Sequence, residues 1–143
     1  MMTEEQYMIE RVNPQIEWHD KKGTCNKCRY YIFSWIIIIC SVFTGVIIQF
    51  CEIAGEILSI VVAITASISN FCKFQDKWRL YRLTTELLVH EKYIYETQSD
   101  KYAGEDSFKL FVESIEDILM KTNKGWEKLL EGISQVNGTT DRK

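Results

Sequence analysis

Few residues of this chain are of a type and spacing that do chemistry. Cys25 and Cys28 form a single CxxC. A structural zinc would need a second such pair or nearby histidines, and the chain has only His19 and His90. No βαβ pattern surrounds the motif, so two reduced thiols on a helix describe it better than a redox dithiol. Cys40, Cys51 and Cys72 lie in or beside apolar runs, where cysteine acts as a small hydrophobe. Glu113 and Glu116, like Glu86 and Glu91, read as solvated or salt-bridged helix positions. With no nucleophile–base pair and no phosphate-cradling glycine loop, an enzyme is not expected, nor a cofactor or a bound metal.

The residues that stand out are polar ones inside an apolar run. On a helix turning about 100° per residue, Glu56, Ser59, Ala63, Ala66, Ser67 and Asn70 fall within a stripe about 100° wide. Lys73 and Lys77 extend that stripe beyond the run. Ile57, Leu58, Ile60, Val61, Ile64, Ile68 and Phe71 cover the other side. A sorted polar face has two physical readings. Small residues at i, i+4 spacing, as in Ser59-xxx-Ala63-xxx-Ser67, let another helix approach closely. Alternatively, several copies turn the face toward a water-filled axis, and it lines a pore. Ser and Thr weigh little, because their hydroxyls bond to the carbonyl one turn back. Asn70 weighs more, since its amide has more polar valences than one carbonyl satisfies. The first apolar run has a small seam of its own, Ser34, Ser41 and Gly45, expected to pack on a neighbouring helix. In a pore, Glu52 and Glu56 would ring the outer mouth and favour cations, with Lys73 and Lys77 opposing them at the inner mouth.

The elements that carry this stripe are long helices. The chain has 143 residues, one proline and seven glycines, so little interrupts a helix. Its net charge of −3 and pI near 5.5 give no basic face for nucleic acid. A mean hydropathy of −0.14 conceals a strong concentration of apolar residues between Tyr31 and Phe74. Residues 31–51 contain no charge and would reach roughly 31 Å as a helix, enough for a bilayer core of about 30 Å. Residues 57–72 reach roughly 24 Å, which places Glu56 and Lys73 near the two interfaces. The link between the runs has glutamates and no Lys or Arg. Lys21, Lys22, Lys27 and Arg29 precede the first run, and Lys73, Lys77, Arg79 and Arg82 follow the second. Positive residues favour the cytoplasmic side, so both termini are expected inside. Tyr30, Tyr31, Trp35, Phe74, Trp78 and Tyr81 supply interfacial aromatics at that boundary.

The expected fold is therefore an all-α membrane protein, a two-span transmembrane hairpin whose helices extend into a cytoplasmic helical bundle. Its parts are an N-terminal cytoplasmic helix within 1–30, a first span at 31–51, and a turn at 52–55 made by Gly55. A second span follows at 56–73, continuing without a break through 74–97. A C-terminal helix at 105–133 folds back along that continuation, and 134–143 form a flexible tail. Asn13 is expected to cap the first helix, with Pro14 in its first turn. Leu80, Leu83, Leu87, His90 and Ile94 form the expected packing seam. Trp18 anchors against the bundle, and Gly125 marks a break or weak point in the last helix.

The run "FCKFQDKWRLYRLTTELLVHEKYIY" resembles the signature of SLATT proteins, two-span prokaryotic membrane effectors associated with nucleotide-signalling defence systems. The resemblance rests on Phe74, Trp78, Tyr81, Arg82, Glu86, Leu88, Glu91 and Tyr95, then Tyr102, "FVESIE" from Phe111 to Glu116, and Trp126. Just before Tyr102, Ser99, Asp100 and Lys101 replace the glycine or proline of the pattern. What the resemblance implies is a homo-oligomeric pore in the inner membrane, opened when a signalling partner such as a cyclic-nucleotide synthase or nucleotide sensor reports infection. The rival reading is a membrane-anchored adaptor whose hairpin holds a helical docking platform.

Overall fold

The computed structural model describes residues 3–138, with side chains described through Leu129. It is helical throughout, with no strand among the described residues. Two compact units share the chain: a hairpin unit, residues 24–78, and a bundle unit made of residues up to Gly23 and from Arg79 onward.

The first helix starts earlier than its sequence suggests. Thr3 caps α1 (Glu4–Tyr7) through a capping box with Gln6, so Asn13 is not the cap. A π-helical turn, Met8–Val12, joins α1 to α2 (Asn13–Ile47). The wide turn directly precedes Pro14, which has no N–H to donate and would crowd the carbonyl one turn back. The π turn accommodates the proline, and the helix passes through it. Asn13 instead accepts a hydrogen bond from Lys92 Nζ at 2.9 Å.

In the hairpin unit, α2 ends at Ile47 and α3 (Glu52–Cys72) begins at Glu52. The turn thus occupies 48–51 rather than 52–55, and it passes through an extended Cys51 (φ −151°, ψ 102°) without any glycine. Gly55 lies inside α3. A Cβ there would sit 2.9 Å from Ile48 Cβ, so this glycine serves close approach of the two arms. Half-buried positions of α2 include Tyr30, Phe33, Ile37, Cys40, Thr44 and Ile47, and those of α3 include Leu58, Val62, Thr65, Ser69 and Cys72. Both sets alternate in steps of three and four, the spacing of a left-handed helix pair. Phe33 stacks on Phe74 at 5.5 Å between ring centroids. Both helices are long and apolar enough to cross a membrane, and none of their most apolar stretch is buried within the chain.

The expected unbroken helix over 57–97 is interrupted. Lys73 adopts φ 46° and ψ 44°, the left-handed conformation, and α4 (Phe74–Glu96) starts after it. For a residue with a Cβ that conformation costs about 1–2 kcal/mol, so the sequence gives no sign of it. The polar stripe of α3 consequently ends at Asn70 and does not continue through Lys77.

The bundle unit packs the N-terminal helix, α4 and α5 (Ser107–Gly138) around Val12, Leu88, Tyr95, Tyr102, Phe111 and Ile115. After α4 the chain turns through Gln98 and a single 3-10 turn, Asp100–Tyr102. Tyr95 stacks on Phe111 at 4.2 Å, and Thr84 meets Thr122 at 2.8 Å, so α5 folds back antiparallel to α4. The buried face of α4 is Tyr81, Thr84, Thr85, Leu88, Glu91 and Tyr95. This corrects the expected seam, for Leu83, Leu87 and His90 are exposed. Thr84 and Thr85 qualify for burial because their hydroxyls donate to the carbonyls of Leu80 and Tyr81. Gly125 causes no break. Its missing Cβ leaves room for Leu80, whose Cδ1 would otherwise lie 3.0 Å away. The helix runs to Gly138, past the expected end at 133, and residues 139–143 of the expected tail lie outside the described residues.

Candidate functional site: a free polar face and an aromatic cleft

The predicted stripe is assembled as a single face of α3. Glu56, Ser59, Ala63, Ala66, Ser67 and Asn70 are all exposed. Ser59, Ala63, Ala66 and Asn70 are each offset by one residue from the half-buried seam against α2. So α3 carries two adjacent seams at helix-pair spacing, one occupied by its own hairpin partner and one free. Ser59 donates to the carbonyl of Gly55 at 3.0 Å, and Ser67 to that of Ala63 at 2.8 Å. Their hydroxyls are therefore satisfied within the helix. Asn70 has no side-chain partner among the described residues, and its backbone carbonyl accepts from Lys73 N at the break. Glu52 is exposed in the first turn of α3, and Lys73 and Lys77 are half-buried. On α2, Ser34 is half-buried and donates to the carbonyl of Tyr30, whereas Ser41 and Gly45 are exposed. The expected small seam of α2 is thus divided, with its Ser41-xxx-Gly45 part unpartnered within the chain.

The signature residues of α4 are chiefly structural. Trp78 is half-buried, and Lys27 Nζ lies 5.7 Å from its ring centre. Tyr81 is packed by Trp18, His19 and Trp126, with ring centroids 4.9–5.9 Å away. Arg82 donates to Glu86 at 2.8 Å and pairs with Asp20 at 3.8 Å. Glu91 accepts from both Lys101 and Tyr102. Burial pushes its carboxyl upward, but those donors and the Lys101 charge outweigh burial and hold it below the usual range. Tyr95 is sandwiched by Phe111 and the edge of Tyr102, and burial and Glu4 push its phenol up to about 12.

Tyr7 and Arg11 escaped notice in the sequence, where Glu116 reads as solvated or salt-bridged. Arg11 holds both oxygens of Glu116 at 3.0 Å each, and Tyr7 donates to the same carboxylate at 3.2 Å. Burial and Glu116 together raise the Tyr7 phenol to about 12. A cleft of about 470 Å³ lies beside this cluster, between the N-terminal helix and α5. Arg11, Gln15, Trp18, His19, Asn123 and Trp126 are among its walls. Cys25 and Cys28 are exposed free thiols.

The chain belongs to the DUF4231 family, described as a protein of unknown function, whose model matches residues 14–109. No curated protein and no solved structure matches it.

Proposed function

We propose that this member of the DUF4231 family is a SLATT-type membrane protein that assembles into an oligomeric pore in the inner membrane. In this reading the hairpin spans the bilayer, with both termini cytoplasmic and the bundle unit on that side. Copies surround an axis and turn Glu56, Ser59, Ala63, Ala66, Ser67 and Asn70 toward it. One observation carries the proposal. The polar seam of α3 is free, while the seam beside it already packs α2. A two-helix hairpin cannot enclose water alone, so the pore needs several copies. The resemblance to SLATT effectors supplies the role: permeabilising the membrane when a signalling partner, such as a nucleotide synthase or sensor, reports infection.

Ion flux from liposomes carrying the purified chain tests this reading. Wild type should conduct, and Asn70→Leu should conduct less, because it replaces with an apolar side chain an amide of the stripe that has no partner among the described residues. Equal flux from both would remove α3 from the pore lining.

A second reading is favoured by Leu83 and Leu87, which α4 leaves 55% and 43% exposed. These would suit a membrane-anchored adaptor that docks a partner helix. Leu83→Lys should then abolish partner capture while Asn70→Leu has no effect.

A further inference from the structure

The bundle cleft has a chemical character that the pore reading does not use. His19 is 4% exposed, and its Nδ1 lies 2.7 Å from the carbonyl oxygen of Gln15. A carbonyl only accepts, so Nδ1 carries the proton and the neutral ring presents a bare Nε2 lone pair. Among the described residues, nothing donates to Nε2. His19 lines the cleft, so this acceptor opens onto the cleft and can take a donor from whatever fills it.

The other walls narrow the choice of occupant. Trp18 is 46% exposed and Trp126 half-buried, and both are braced from behind by Tyr81. Two fixed indoles suit a flat ring, which stacks at little conformational cost. Asn123 is exposed, with no side-chain partner among the described residues, and offers one amide edge that both donates and accepts. Arg11 is the one cation among the lining residues, and Glu116 occupies it through two hydrogen bonds. No lining charge is therefore left over for an anionic group. The volume is within the usual range for small-molecule sites.

We infer that this cleft binds an uncharged, planar heteroaromatic molecule of about purine size, with an N–H directed at His19 Nε2 and its amide-like edge paired with Asn123. The site belongs to the bundle unit alone, so it stands or falls independently of the pore.

Calorimetric titration of the full chain in nanodiscs with adenine tests the inference, since an asparagine amide pairs in two-point fashion with the N6/N7 edge of that base. Wild type should bind adenine saturably, and Asn123→Ala, an exposed position that should fold normally, should weaken binding by about tenfold. Adenosine monophosphate should bind no more tightly than adenosine. Absence of saturable adenine binding would overturn the site, and unchanged binding in Asn123→Ala would overturn its placement. A clear preference for the phosphorylated compound would overturn the uncharged class.

Discussion

Gly55 lies against Ile48 so closely that an added Cβ would come within 2.9 Å of Ile48 Cβ and 3.0 Å of its Cα. The closest approach involves backbone as well as side chain, so a rotamer change cannot relieve it. Gly55→Ala should cost about 1–3 kcal/mol as the arms splay at the turn. Gly45, with nothing within 4 Å of its Cβ position, gives the control. Gly45→Ala should leave the single chain unaffected and, if Gly45 faces a neighbouring copy, should shift only the oligomer distribution. Thermal melts beside size-exclusion profiles separate the two effects.

The Glu91 cluster should show the asymmetry of breaking a buried polar network. Glu91→Leu leaves Lys101 and Tyr102 without their shared acceptor and should destabilise by about 2–3 kcal/mol, tempered because Lys101 is partly exposed. Glu91→Gln keeps an acceptor oxygen and should cost about 1 kcal/mol. Urea melts of both variants check the ordering.

Acid should loosen the bundle in two stages. Burial lowers the pKa of His19 from its ordinary 6.5, with the bond to Gln15 opposing it. The unfolded chain then binds the extra proton first, so stability falls as pH drops below about 6.5. Glu116 is held low chiefly by its hydrogen bonds from Arg11, and Glu91 by its donors against burial. Their contribution is present above the ordinary 4.5 and is lost only below it. Melting temperatures between pH 7.5 and 5 should therefore decline in wild type and stay flat in His19→Gln.

Arg11 and Glu116 join the N-terminal helix to α5 across 105 residues of sequence. The pair is two-point in geometry, but its side chains are 43% and 41% exposed. A double-mutant cycle through Arg11→Ala and Glu116→Ala should therefore give a coupling of about 1 kcal/mol or less, shrinking with added salt. A coupling of several kcal/mol would mean that a neighbouring copy buries the pair.

The sequence displayed what depends on periodicity. The two apolar helices, the sorting of polar residues on α3 and the return of α5 along α4 all follow from spacing. It concealed what depends on approach. Gly55 and Gly125 read as turn or weak point by residue type, yet both mark places where another part of the chain comes near. Thr84 and Thr85 stand outside the expected seam, yet a carbonyl four residues back makes them fit for burial. The cleft was invisible for a different reason: His19 and Trp126 are far apart in the chain, and only the bundle brings them together.

The left-handed turn at Lys73 also resets angular phase. Within α2, which runs unbroken for 35 residues, every inserted residue rotates all that follows by about 100° and scrambles each face downstream. At Lys73 the regular advance is interrupted, because a left-handed residue stands between α3 and α4. Substitutions that tune the face of α3 can thus accumulate without misaligning the buried face of α4. Natural length variation in this part of the molecule should therefore be tolerated beside Lys73 long before it is tolerated in α2.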